Sequence, residues 1–164
     1  MIFNSIEFLL FAIGFFLLWP ILGKKNLSRW IFITAASFIF YGWWDWRFLF
    51  LILGSGLIDY FGGLAIHKRP DKKRLYFGLS LFGNLGALLV FRYSEFVATV
   101  IQDGLSYLNY DVNIIDSIPE FALIKVVGIS FYTFQSLSYT IDIYRGRLEP
   151  TRNIFHFFSY LSMF

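Results

Sequence analysis

The residues best suited to chemistry lie between Gly128 and Gly146, a stretch that is apolar in outline yet carries seven polar residues from Ser130 to Asp142. Gln135, Ser138 and Asp142 are spaced at i, i+3 and i+7, so a helix would carry them on one face. Such a stripe must face other helices or water rather than lipid, because hydrocarbon offers it no partner. Two uses fit the pattern equally. One is hydrogen bonding between helices, worth about 0.6 kcal/mol per contact. The other is the wall of a polar tunnel through a bilayer.

Asp59 is the second candidate. It stands inside the apolar run Phe48 to Ile66, within Gly54-Ser55-Gly56-Leu57-Ile58-Asp59-Tyr60-Phe61-Gly62-Gly63. An ionised carboxylate in a membrane span costs several kcal/mol and needs a partner or a wet cavity. Asp59 therefore acts either in helix packing or as a cavity or proton group. The glycines around it would let neighbouring helices approach closely. They lie within a hydrophobic span rather than between a strand and a helix, so they do not read as a phosphate loop. Cysteine is absent, which excludes disulfides and thiolate chemistry. No spacing suggests a metal site. Of the two histidines, His67 falls in a basic octet and His156 opens the last apolar segment.

The elements that must position these residues are set by composition. The chain has 164 residues, 57% hydrophobic, 23% aromatic and 15% charged. An average soluble domain is about 25% charged. A soluble globule of this size would expose much of its apolar surface, and disorder needs the opposite composition. A membrane-crossing helix takes about 20 residues, so the length holds roughly five. The expected fold class is all-α: a multi-pass transmembrane helical bundle of about five spans plus the start of a sixth, within one partial membrane domain over residues 1–164.

The expected spans are Phe3 to Leu22, Trp30 to Trp44, Phe48 to Ile66, Leu75 to Phe91 and Ala122 to about Tyr144, with Ile154 to Phe164 opening a sixth. The first has its basic residues after it rather than before it, unlike a secretory signal. Tyr41, Trp43, Trp44 and Trp46 gather around Asp45 and Arg47 as an interfacial turn. Between Ser94 and Phe121 there are five acidic residues and no basic one, read as an interfacial amphipathic helix near Glu95–Leu108 and a polar loop to Pro119. Lys and Arg alternate by loop: three in 23–29, one in 45–47, five in 67–74, none in 93–121 and three in 145–153. The positive-inside rule then places the odd loops in the cytoplasm and the N-terminus outside. The octet His67 to Arg74 is accounted for by this orientation, and no nucleic-acid partner is expected.

Gly128 to Tyr139, with Asp142-Ile143-Tyr144-Arg145-Gly146, closely resembles a signature of the membrane-bound O-acyltransferases, in the bacterial branch that acetylates alginate and related exopolysaccharides. Ser37-Phe38-Ile39-Phe40-Tyr41-Gly42-Trp43-Trp44 and Asp59-Tyr60 are similar to that branch. So is Phe91-Arg92-Tyr93, where the family more often has Lys than Arg. The resemblance covers essentially the whole chain. It implies transfer of an acyl group, most readily acetyl from acetyl-CoA, from a cytoplasmic donor to polysaccharide hydroxyls outside, through a polar tunnel with a buried histidine. That histidine activates a hydroxyl for attack on the acyl carbonyl. No resident cofactor is implied. The implied setting is the bacterial inner membrane, with periplasmic acetylation proteins and polysaccharide as partners beside the lipid bilayer. Gln135, Ser138, Asp142 and Asp59 become candidates for tunnel lining or helix packing, and Arg145 for pairing with Asp142 or receiving donor phosphates. Neither His67 nor His156 matches the family's catalytic position. The chain therefore reads as the N-terminal third of such an enzyme, inactive without a C-terminal part or a complementing chain. A non-enzymatic membrane scaffold or small transporter subunit is the alternative.

Overall fold

The computed structural model describes residues 5–22, 26–44, 46–107, 119 and 128–162. Among these residues the chain is all-helical, with no strand. The helices are α1 (Ile6–Leu22), α2 (Asn26–Trp44), α3 (Arg47–Lys68), α4 (Lys73–Leu88), α5 (Ser94–Tyr107), α6 (Ile129–Tyr144) and α7 (Ile154–Ser162). Two described helices are long and apolar enough to cross a membrane, Leu49–Lys68 and Pro70–Tyr107, and Ile6–Leu22 is a shorter apolar one.

Helices α3, α4 and α6 pack against one another and form the centre of the bundle. Helix α7 lies against α2 and also touches α3 and α6. Helix α1 packs on α2 through rings, with Phe15 stacked on Phe32 at 5.0 Å and Phe8 edge-on to Phe40 at 6.1 Å. Its other faces carry exposed Leu, Ile and Phe, as a lipid-facing or partner-facing helix would.

Two glycines of α3 allow the close crossings. A Cβ on Gly56 would stand 2.6 Å from a ring carbon of Phe158 on α7, and one on Gly63 would stand 2.8 Å from Ile143 Cδ1 on α6. Neither distance is sterically possible, so α3 is held near its neighbours by the absence of side chains. Around these crossings Ile52, Ile129, Phe157, Phe158 and Leu161 form a dry core.

The structure redraws two segments. Most of the basic octet is helical: His67 and Lys68 end α3, Pro70–Lys72 forms a single 3-10 turn, and Lys73 and Arg74 begin α4. Pro70 at the first position of that turn sacrifices no hydrogen bond. The fourth apolar run and the acidic segment after it, as far as Tyr107, are one continuous helical rod. Residues Leu89–Tyr93 make a wide π-type turn that carries α4 directly into α5. The rod has 38 residues from Pro70 to Tyr107. At 1.5 Å per residue it is roughly 57 Å long, about twice the thickness of a bilayer core. The polar loop expected before Pro119 and the start of the fifth run lie outside the described residues. Helix α6 begins at Ile129, behind Gly128.

The far end of α6 is closed by a Schellman turn. Arg147 N–H bonds to Asp142 O at 2.9 Å, Gly146 N–H bonds to Ile143 O at 3.0 Å, and Gly146 takes φ +72°. Three buried or half-buried hydroxyls then fasten the chain that leads into α7. Tyr60 donates to Arg152 O at 2.8 Å, Thr34 donates to Phe155 O at 3.1 Å, and Tyr139 accepts from Thr151 N–H at 3.2 Å.

Candidate functional site

Helix α6 is polar on two opposite faces. Ser136 and Thr140 occupy one, and Gln135, Ser138 and Asp142 occupy the other. The first face is sealed inside the bundle, and the second opens on a cleft.

On the sealed face everything converges on Asp59, which has no accessible surface. Its Oδ1 accepts from Ser80 and, at 3.0 Å, from Thr140. Its Oδ2 accepts from Ser136 and, at 2.9 Å, from Asn84 Nδ2. Asn84 also donates to Ser80 O at 3.0 Å and accepts from Ser55. Each of three helices thus supplies a pair of polar side chains one turn apart: Ser55 and Asp59 on α3, Ser80 and Asn84 on α4, Ser136 and Thr140 on α6. The i, i+4 spacing points both members of a pair the same way. Four neutral donors fill the acceptor capacity of one carboxylate, and among the described residues no basic side chain bonds to it.

The second face borders a half-open cleft of about 280 Å³, lined by Ser138, Asp142, Glu149, Thr151, His156 and Tyr160 together with apolar neighbours. Gln135 Nε2 reaches across to Tyr160 O on α7 at 2.7 Å. Ser138 donates to Gln135 O at 2.7 Å and stands 3.4 Å from the Tyr160 hydroxyl. His156 Nδ1 lies 3.2 Å from Thr151 Oγ1, and its ring rests on Trp30 with centroids 4.5 Å apart. The cleft therefore gathers a carboxylate pair, an imidazole and hydroxyls beside an aromatic wall. These groups suit binding of a polar ligand.

The sequence-derived candidates separate accordingly. Gln135, Ser138 and Asp142 do share one face, and that face meets α7. Asp59 lines neither this cleft nor a second one of about 180 Å³ between α3, α4 and α6. Arg145 does not pair with Asp142. It is exposed at the end of α6, where the chain reverses at Gly146 and the Asp142 carbonyl takes the Arg147 N–H instead. His67 is exposed in the last turn of α3, away from the polar junction. His156, which opens the last apolar segment, is on the cleft wall. The sequence reading passed over Ser55, Ser80, Asn84, Ser136 and Thr140. Their signal was the repeated i, i+4 pair of small polar residues in three separate apolar runs.

The basic helix ends lie at one end of the bundle, except Arg47 at the start of α3. Lys73 at the start of α4 sits 5.1 Å over the Tyr144 ring at the end of α6, and Trp30 near the start of α2 meets His156 at the start of α7.

The whole chain aligns with known proteins. It is 34% identical to the probable alginate O-acetylase AlgI of Pseudomonas putida, over 100% of this chain and 33% of that protein. The AlgI of Pseudomonas aeruginosa is 33% identical, over 100% of this chain and 31% of its own length. The chain belongs to the membrane-bound O-acyltransferase family. A peptidoglycan O-acetyltransferase of Helicobacter pylori is 31% identical over 81% of this chain and 24% of its own length. The chain spans about a third of the length of the alginate O-acetylases it matches. No family model matches it, and no solved structure does. The family signature Gly128 to Gly146 is the two-faced helix α6 with its capping turn, so the residues that carry the family resemblance also join the junction to the cleft.

Proposed function

We propose that this chain is the N-terminal part of an O-acetyltransferase that moves an acetyl group from a cytoplasmic donor, acetyl-CoA, to hydroxyls of a polysaccharide outside the cell. The observation that carries this reading is the open polar face of α6, where Ser138 and Asp142 border a cleft beside α7. Full-length similarity to alginate O-acetylases supports the same chemistry. The chain crosses the bacterial inner membrane in five spans, with its N-terminus outside and the basic helix ends in the cytoplasm. The clustering of those ends at one end of the bundle supports this orientation. The cleft sits at that end and forms the wall of the donor's path. Arg145, exposed beside it, is available to donor phosphates.

The chain by itself does not transfer acetyl groups. The remaining part of the enzyme supplies the base that takes the acceptor hydroxyl's proton. Periplasmic acetylation proteins and the polysaccharide approach from the opposite end.

The test is polysaccharide O-acetylation in cells carrying the complete enzyme, with Ser138→Ala and Asp142→Asn introduced singly. Loss of acetylation at unchanged protein level supports the reading. Unchanged acetylation in both would favour a scaffold or transporter subunit, and acetyl transfer by the purified chain alone would refute its dependence on a further part.

A further inference from the structure

The Asp59 junction poses a charge problem that the acyl-transfer reading leaves unsolved. One carboxylate stands at the centre of three helices with no accessible surface. Hydrogen bonds hold it, but among the described residues every donor is neutral: Ser80, Asn84, Ser136 and Thr140. An ionised group so placed carries a net charge of minus one into a medium where an uncompensated charge costs several kcal/mol.

The oxygens around it have a second property. Asp59 Oδ1 and Oδ2, Ser80 Oγ, Ser136 Oγ and Thr140 Oγ1 are five hard donors from three helices: the Ser80 and Thr140 hydroxyls lie against Oδ1 and the Ser136 hydroxyl against Oδ2. Oxygen ligands suit alkali and alkaline-earth cations, not zinc or copper. Each hydroxyl lies on a helix, so it can turn its proton onto the carbonyl one turn back and offer a lone pair inward. Asn84 then serves as an orienting group, tied to Ser80 O and to Ser55. Ser55 also lines the apolar cleft between α3, α4 and α6, which brings a path from outside to the rim of the junction.

We propose that this junction is a binding site for a dehydrated monovalent cation, Na⁺, ligated by the Asp59 carboxylate and the hydroxyl oxygens of Ser80, Ser136 and Thr140. One positive charge balances the one carboxylate, whereas a divalent ion would leave an excess. Asp59 lines neither cleft, so an ion held there is stripped of its water. The bound ion joins α3, α4 and α6 more strongly than hydrogen bonds alone, and so fixes the rotation of α6. The site does not depend on the acyltransferase reading.

The test uses the complete gene product in detergent at fixed pH and ionic strength, with choline chloride replaced stepwise by NaCl or KCl. The melting temperature rises saturably with Na⁺, as binding to the folded state requires, and rises less with K⁺. Asp59→Asn abolishes the Na⁺ response, and equilibrium binding of radioactive ²²Na⁺ falls from one ion per chain to none. Thr140→Val and Ser80→Ala, which keep the carboxylate, shift the half-saturating Na⁺ concentration upward at least tenfold, so the site remains testable if Asp59→Asn does not fold. Identical melting in Na⁺, K⁺ and choline would overturn the proposal in favour of a protonated carboxyl. So would a Na⁺ response that survives in Asp59→Asn or in both hydroxyl variants.

Discussion

Ser136 on α6 donates its hydroxyl to the buried carboxylate of Asp59 on α3, across 77 positions of sequence. Two residues further along the same helix, Ser138 faces the cleft beside α7. One helix thus locks one polar face into the bundle and leaves the other open. The locked face fixes the rotation of the open one.

Removing the two hydroxyls should therefore have unequal effects on stability. Ser136→Ala takes a donor from a buried, charge-bearing acceptor, at a cost of about 1.5–3 kcal/mol. Ser138→Ala, at an exposed position, should stay within about 0.5 kcal/mol. Unfolding of both variants in detergent measures the difference, and equal values would contradict the two-faced arrangement.

The glycines of α3 give a second contrast. Gly56→Val drives methyl groups into Phe158 and Leu161, and overpacking of this kind costs about 1–3 kcal/mol. Gly54→Ala meets nothing within 4 Å and should be neutral or stabilising by up to about 1 kcal/mol, since alanine is the better helix former. Thermal unfolding and a cross-link between α3 and α7 read both outcomes.

Orientation is open to direct measurement because the chain has no cysteine. A single cysteine at Asp71, in the turn between α3 and α4, should react with impermeant maleimide only after the membrane is opened. One at Trp46, between α2 and α3, should react in intact spheroplasts. The reverse pattern would invert the assigned topology.

The cleft residues should affect transfer rather than folding. In the complete enzyme, Asp142→Asn and Ser138→Ala should lower acetylation roughly tenfold or more, the effect of about 1.4 kcal/mol in a transition state. Their melting temperatures should stay near that of the parent. A steady-state assay of polysaccharide acetylation, run beside the melts, separates the two effects.

Much of this was legible before any coordinates. The apolar runs place both ends of α1, α2 and α3 within a few residues of those observed, and the end of α6 at Tyr144, because apolar composition over that length admits little besides a helix. The spacing of Gln135, Ser138 and Asp142 gave their common face, because helical periodicity is local. Two boundaries were misjudged for local reasons too. The fourth run was expected to end at Phe91, yet the wide turn Leu89–Tyr93 carries the helix on without a break. The basic octet suggested a loop, yet helices α3 and α4 extend into it from both sides and leave a single 3-10 turn.

The sequence by itself determined an all-helical, lipid-compatible chain, the alternation of its charges and the family signature on α6. It also flagged Asp59 as a group in need of partners. Only the tertiary structure decided which partners. Ser80, Ser136 and Thr140 are ordinary helix residues until α3 crosses α6 at Gly63 and meets both α4 and α6 at the junction itself. Hydrogen bonds between residues 21 to 81 positions apart depend on helix rotation and crossing, which no local pattern encodes. Tertiary packing also brought His156 to the cleft and left Arg145 unpaired with Asp142, because the turn at Gly146 sets where the chain goes after α6.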